Sequence, residues 1–278
     1  MNIIAIDIGN TTVTVALFVD DTKQFIESVP GDAAEELTKL LTSAWEQIPF
    51  SKSAKVKIRD GVIVVSSVKD EWTKPVTDIC SDKLDAKIKV IGKDVPLPIE
   101  TAVDDNMEVG TDRLVSAAAA FAVVQDAVVV ADFGTAVTID VVDEDGVFLG
   151  GCILPGFELS AKALQNGTAK LPEVKVAKPA GPIGANTREA INCGLYYSAV
   201  GALEMAVRRY AEEIGKWPQV VATGGTAEII KADCEFVDSW VPNLTVKGIV
   251  LAYKKSLEDH AELARFESQD SKQSSKKK

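Results

Sequence analysis

The sequence predicts an α/β protein built from two related halves, each a mixed sheet with an antiparallel hairpin meander and flanking helices. Three observations predict it. The first is a repeat: an apolar run over residues 3–6 ends in Asp7, then come Gly9, Asn10 and Thr11, then a second apolar run over 13–18. Far downstream the run 128–131 ends in Asp132, followed by Gly134 and Thr135 and an apolar run over 137–142. Each copy flanks an Asp-x-Gly-[Asn/Thr] corner with two β-branched runs, the pattern of a tight hairpin. The second observation is that each hairpin leads into a further strand, 23–30 and 147–154, so the meander repeats too. The third is the continuous apolar run Gly61-Val-Ile-Val-Val-Ser-Ser67, which suits a central parallel strand buried on both faces.

In order along the chain, the first meander is followed by Gly31-Asp32 and a helix over 33–47, where Leu37, Leu40, Leu41 and Ala44 recur at helical spacing and Asp32 offers an N-cap. After the strand at 61–67 a helix is expected over 72–84 and a strand over 87–91. Pro96, Pro98 and the polar run 100–108 mark the boundary between halves. The expected domains are therefore 1–108 and 109–267, with the active-site cleft between them. Gly110-Thr-Asp-Arg113 opens an Ala-rich helix over 114–124, and the second hairpin occupies 127–142. A turn at Asp143-Glu-Asp-Gly146 leads to the third strand, and Gly150-Gly-Cys-Ile-Leu-Pro-Gly156 feeds a helix starting at Phe157 or Glu158. Residues 165–185, rich in Gly, Pro and Lys, read as an exposed loop. A long buried helix is expected over 187–214, a strand over 219–222, and Thr223-Gly-Gly-Thr226 opens a short helix. A terminal helix over 244–266 precedes 268–278, which is poor in apolar residues and is expected to be a disordered tail.

Composition narrows the function. At 278 residues, 46% hydrophobic and 26% charged, the chain can bury sizeable cores. A formal charge of −11 argues against a nucleic-acid partner, so any anion must be bound locally by N–H dipoles, metal ions and a few basic side chains. No apolar run approaches a bilayer span and no signal peptide is seen, so a cytoplasmic protein is expected. Cys80, Cys152, Cys193 and Cys234 are scattered and read as buried, reduced thiols without zinc spacing. His260 is the only histidine and lies in a polar segment, so acid–base work falls to carboxylates.

The chemistry is expected at three glycine corners: Asp7-Ile-Gly-Asn-Thr, Asp132-Phe-Gly-Thr-Ala and Thr223-Gly-Gly-Thr-Ala. Gly lets a ligand approach the backbone, hydroxyls and N–H groups donate to phosphate oxygens, and the Asp at a strand end faces a cation. Two such corners across a cleft would clamp a polyphosphate with its metal. A corner taken singly reads first as an ordinary turn, and a turn Asp is the lesser alternative for Asp7; the repeat favours the ligand reading. None of the three is a Gly-x-x-x-x-Gly-Lys-[Ser/Thr] loop or a Gly-x-Gly-x-x-Gly turn within a βαβ unit. Asp112-Arg113 pairs a candidate proton acceptor with a fork that suits a carboxylate; the alternative is a helix-start Asp bonded to backbone N–H groups with a solvated Arg.

The order of these corners resembles the duplicated actin-like ATPase and sugar-kinase superfold, of the ribonuclease H-like type, in which a late Gly-Gly turn holds the adenosine. Within it, Gly110-Thr-Asp-Arg113, Asp132-Phe-Gly-Thr-Ala-Val-Thr138, Gly150-Gly-x-Ile-x-Pro-Gly156 and Asn186-Thr-Arg-Glu-Ala-Ile-x-x-Gly194 together closely resemble type III pantothenate kinase, over residues 1–254. That resemblance implies transfer of the ATP γ-phosphate to pantothenate, giving 4′-phosphopantothenate, the first step of coenzyme A biosynthesis. It implies Asp112 as general base, with Gly110, Thr111, Arg113 and Thr187 holding pantothenate. It assigns the ATP phosphates to Asp7, Ile8, Gly9, Asn10, Thr11, Thr12, Val13 and Thr14, and further nucleotide contacts to Thr135, Gly224 and Gly225. Asp132 resembles the ligand of potassium (or ammonium), Asp7 is a candidate for Mg²⁺, and a homodimer is implied. The chain departs from the family in one loop: members carry a substrate-contacting Tyr before the Gly-x-Asp-Arg element, whereas residues 99–108 hold Asp104-Asp-Asn-Met107 and no aromatic, with Val103 or Asp104 as candidates for its place. A kinase for another small hydroxyl compound and a non-catalytic regulator are the rival readings.

Overall fold

The computed structural model describes residues 1–52, 57–104 and 109–275, with side chains of the last helix described as far as Glu262. Asp105, Asn106 and Met107 of the departing loop, and the expected 108/109 boundary, fall outside or at the edge of the described residues. The chain forms two compact units: Met1–Pro98 with Gly110–Val115 and Thr245–Lys278, and Ile99–Val109 with Ser116–Leu244.

In the first unit β1 (Ile3–Ile8), β2 (Thr12–Val19) and β3 (Thr22–Pro30) form the expected meander. α1 (Ala34–Gln47) crosses to β4 (Val62–Ser67), which pairs parallel with β1; α2 (Asp70–Asp78) crosses to β5 (Lys87–Val90), parallel to β4. The sheet order is β3-β2-β1-β4-β5. Alternation along β1 divides its burial: Ile4, Ile6 and Ile8 pack with Leu37, Leu41 and Trp45 of α1, while Ile3 and Ala5 face the opposite side. A sheet buried on both faces needs helices on both, and one comes from the far end of the chain.

In the second unit the two-residue β6 (Glu100–Thr101) precedes α3 (Thr111–Val124), whose first residues count with the first unit. The meander β7 (Val128–Phe133), β8 (Ala136–Val142), β9 (Val147–Pro155) repeats the first. α4 (Phe157–Asn166) and the 28-residue α5 (Thr187–Ile214) lead to β10 (Gln219–Thr223), parallel to β7, and to the two-residue β11 (Ser239–Trp240). The sheet order is β11-β10-β7-β8-β9-β6; read from β9 it runs third, second, first, fourth, fifth, as in the first unit, with β6 added outside. Tyr196, Leu203 and Val207 of α5 pack on Phe133, Val137 and Ile139. The duplicated halves expected of the actin-like ATPase architecture are present.

α6 (Leu244–Ser275) closes the chain. Its Val246, Ile249, Val250 and Ala252 cover Ile3, Ala5, Val62 and Val64, so it supplies the second helical layer of the first sheet. Compared with a single division after residue 108, the units therefore interleave in sequence. The helix also runs on to Ser275, past residue 268 where composition pointed to a disordered tail; no Gly or Pro interrupts it after Gly248.

Smaller expectations are corrected. Asp32 does not cap α1: the N-cap is Ala33, with no side-chain bond, and Ala34 N–H instead meets the Asp32 carbonyl at 3.0 Å. The single helix over 72–84 is α2, which carries Pro75, followed by a wider helical turn over Ile79–Lys83. Cys80, Cys193 and Cys234 are buried and Cys152 half-buried, all unpaired, and burial pushes the Cys80 thiol up to about 12. Among the described residues no helix is long and apolar enough to cross a membrane.

Candidate active site

The first corner is set by the β1–β2 register. Ile8 faces Val13 as the last pair, leaving residues 9–12 as the bend, and Gly9 N–H donates to the Thr12 carbonyl at 3.0 Å. Asn10, Thr11 and Thr12 are exposed at its tip, while Ile8 and Val13 are buried beneath it, so their share in ligand binding is through backbone alone. Thr14 is half-buried and its hydroxyl lies 2.8 Å from that of Ser28. Asp7 sits two residues before the bend, opposite Thr14 on one side and Ser66 of β4 on the other, with its Oδ1 withdrawn from solvent.

Ser66 links this strand end to the start of α3. Its fully buried hydroxyl lies 2.8 Å from Thr111 Oγ1, which also donates to the Ser67 carbonyl at 3.3 Å. Thr111 is thus pinned to β4, and Asp112 follows it. Arg113 N–H donates to Asp112 Oδ1 at 2.8 Å, and a Cβ at Gly110 would lie 2.5 Å from that same oxygen. Asp112 is therefore held back against its own backbone in a space only Gly110 leaves open. Burial raises its pKa from the ordinary aspartate value, opposed by the Arg113 N–H bond and the Arg113 charge. The helix-start bond expected of the structural alternative is present, and burial shifts the same carboxyl upward.

The second corner repeats the first on a shorter bend. Phe133 faces Val137 as the last pair, leaving residues 134–136, and Gly134 N–H donates to the Ala136 carbonyl at 3.0 Å. Thr135 is exposed at the tip. Asp132 is aligned with Thr223 of β10, and the Gly-Gly turn wraps the end of β7: Thr226 N–H and Oγ1 both donate to the Phe133 carbonyl, at 3.1 and 2.9 Å. Gly224 has φ of 100°, and a Cβ there would lie 2.5 Å from Asp132 Oδ1 and 2.4 Å from Phe133 N. Gly134 approaches the same carboxylate oxygen, at 3.7 Å from its would-be Cβ. Asp132 thus lies in a cradle that side chains would fill. Oxygen donors of this kind suit a hard cation such as potassium, and the single carboxylate of Asp7 suits a magnesium ion whose other ligands are phosphates and water. Among the described residues no group of three or more His, Cys, Asp or Glu gathers into a metal cluster, which leaves a site of that all-protein kind without support.

Thr187 is placed apart from these corners' hydrogen bonds, as the first residue of α5. Asn186 caps the helix by accepting from Glu189 N–H at 3.0 Å, and the Glu189 carboxylate accepts from Ala185 N–H, the residue before the cap, at 2.8 Å. Thr187 lines an open depression of about 580 Å³ with Leu164, Leu171, Ala190, Ile191 and Leu195. Within each unit, then, the expected residues gather: Asp7, the first bend, Thr111 and Asp112 in one; Asp132, Thr135, Gly224 and Gly225 in the other. Sequence reasoning placed Gly31 at a turn and Gly156 in a motif but missed that each ties a bend to the third strand. Gly31 N–H donates to the Thr11 carbonyl at 3.0 Å and Gly156 N–H to the Thr135 carbonyl at 2.9 Å. The signal was available, since Pro30-Gly31 and Pro155-Gly156 are the same dipeptide at the same place. Ser66, Ser67, Lys69 and Trp72 were missed as well.

Residues 3–209 match the family described as type III pantothenate kinase. A type III pantothenate kinase of Dehalococcoides mccartyi is 32% identical over 255 residues, covering 91% of this chain and 97% of that protein. One from Cereibacter sphaeroides is 35% identical over 259 residues, covering 92% of this chain and 100% of that protein. Among solved structures, a Baf family protein from Campylobacter jejuni superposes with a TM-score of 0.58 over 93% of this chain and 99% of that one; at 17% identity it bears on the fold alone.

Proposed function

The chain belongs to the type III pantothenate kinase family, and from that premise we propose that it transfers the γ-phosphoryl group of ATP to the terminal hydroxyl of pantothenate, in coenzyme A biosynthesis. The observation that carries the chemical assignment is Asp112: half-buried, fixed through Thr111 to β4, and raised in pKa by burial. As ATP's γ-phosphorus bonds to the pantothenate oxygen, the hydroxyl proton passes to the Asp112 carboxylate and the bond to the ADP oxygen breaks. Arg113 offers its fork to the pantothenate carboxylate, with Gly110, Thr111 and Thr187 as further contacts. Asp7 and the bend through Thr14 serve the phosphates, and Thr135, Gly224 and Gly225 serve the nucleotide. Magnesium, at Asp7, and potassium, at Asp132, would supply charge neutralisation around the phosphates when bound. The working form is a cytoplasmic homodimer.

An assay for ADP release, run with and without pantothenate and with potassium against sodium, tests this reading. ADP release that depends on pantothenate, with 4′-phosphopantothenate as product and potassium preferred, is the expected result. Release that follows a sugar or polyol instead would make the chain a kinase of another alcohol, and no release with any acceptor would leave a binding protein.

A further inference from the structure

The geometry points to Lys69 as a phosphate-binding residue of the first corner, its ammonium presented to a phosphoryl oxygen of the nucleotide and held there by the indole of Trp72. This inference rests on the reading of that corner as a phosphate site. Lys69 follows β4 and immediately precedes α2. Its Nζ donates to the Asn10 carbonyl at 3.3 Å and stands 3.4 Å from the centroid of the Trp72 ring. An ammonium has three donors, so one long bond to a carbonyl leaves two for a ligand. The ring face attracts the cation and limits the rotamers of an otherwise loose side chain.

Each part of this arrangement is fixed by another. A Cβ at Gly31 would lie 1.7 Å from Trp72 Cζ3 and 2.0 Å from Cη2, so the indole occupies space that any other residue at 31 would deny it. Gly31 itself bonds the Thr11 carbonyl. Two successive carbonyls of the bend, those of Asn10 and Thr11, are therefore tied to Lys69 and to the glycine that seats Trp72. On the sheet side Lys69 N–H donates to Ser67 Oγ at 3.1 Å, and that hydroxyl lies 2.6 Å from Thr73 Oγ1, which fixes the backbone from which the lysine springs.

The chemistry asks for such a group. A triphosphate brings several negative charges to a chain whose own formal charge is −11, and Asp7 adds another at this corner. Peptide N–H groups supply only partial charges, whereas an ammonium supplies a full one beside the bend.

Lys69→Met tests the proposal, because it keeps an aliphatic stem over the ring and removes the charge. The Michaelis constant for ATP should rise about tenfold, the size expected for one charge-assisted hydrogen bond. The constant for pantothenate and the melting temperature should not move. Calorimetric affinity for inorganic tripolyphosphate should fall in parallel while that for adenosine stays put, and Lys69→Arg should recover most of the loss. Lys69→Gln serves if the Met variant melts early. Unchanged ATP and tripolyphosphate affinities in a folded, uncharged variant would overturn the assignment and leave Lys69 as support for the indole. Failure of the underlying reading looks different: the unaltered chain would itself show no affinity for tripolyphosphate, and the proposal would fall with it.

Discussion

The two corners share one backbone plan and differ in what surrounds it. Both carry Asp as the penultimate residue of a first strand, turn through Gly, and tie a Thr carbonyl to a Pro-Gly at the end of the third strand. At the first corner the adjoining strand ends in Ser66 and Ser67, hydroxyls bonded to Thr111 and Thr73, and an ammonium stands over Trp72 beside the bend. At the second the adjoining strand ends in Thr223, whose buried hydroxyl accepts from Leu244 N–H, and Gly224 follows at positive φ with no room for a side chain against Asp132. The first sets bonded hydroxyls and an ammonium beside the carboxylate of Asp7. The second holds the carboxylate of Asp132 close against the backbone of Gly224, with the Thr226 hydroxyl bonded to the Phe133 carbonyl beside it. A duplicated frame carries different neighbours around equivalent carboxylates.

The sharpest way to break this comparison is to remove the acids. Asp112→Asn should lower kcat by about 10²–10⁴-fold at every potassium concentration. Asp132→Asn should instead abolish the response to potassium, read from initial rates in potassium and sodium salts. Equal potassium responses in the two variants would erase the distinction between corners. The raised pKa of Asp112 adds a pH signature: the acid limb of kcat/KM should lie above the ordinary aspartate range. For stability the sign is opposite. Because the folded state holds this proton more tightly than the unfolded chain, the group's contribution falls as pH climbs from the ordinary aspartate value through the raised one. Asp112→Asn should therefore melt no lower than the parent at neutral pH while losing turnover.

The next test compares glycines. Gly224→Ala combines positive φ with a collision against Phe133 N, and should cost about 2–4 kcal/mol in urea unfolding. Gly9→Ala meets only the Thr12 carbonyl, at 3.3 Å, and should cost about 1 kcal/mol or less. Comparable losses would mean that the second cradle is no tighter than the first. Between the two glycine changes in size is Thr111→Val, which takes a hydrogen-bond partner from fully buried Ser66. It should cost about 1–3 kcal/mol and, through looser placement of Asp112, lower kcat by up to about tenfold.

Much of this was legible beforehand because it is written in local pattern. The hairpins, the parallel strand after Gly61, α5 with its Asn-x-x-Glu cap and the order of the glycine corners all follow from residues close in sequence. What escaped was non-local or too short to leave a period. β6 and β11 are two residues each and exist only through their neighbours. The stacking of Lys69 on Trp72 depends on a missing side chain at Gly31, 38 positions before the lysine, and no periodicity announces it. Asp32 carried the right chemistry for a cap, but the turn after Pro30 presents its carbonyl instead. In the same way Asp112 was singled out by motif, while its distinguishing burial comes from Gly110 and from Thr111 bonded to a strand more than forty residues earlier.

The seating of α6 has a consequence for how the protein is made. A ribosome that has delivered the first hundred residues has delivered a five-stranded sheet with one oily side still bare, because Val246, Ile249, Val250 and Ala252 are still to be synthesised. Gly248, whose missing side chain lets the helix rest on the Val115 carbonyl, is the latch that closes last. The earliest strands to emerge are thus among the last to be fully sheltered, and a nascent chain cut short before that helix would expose its oldest β-structure to aggregation.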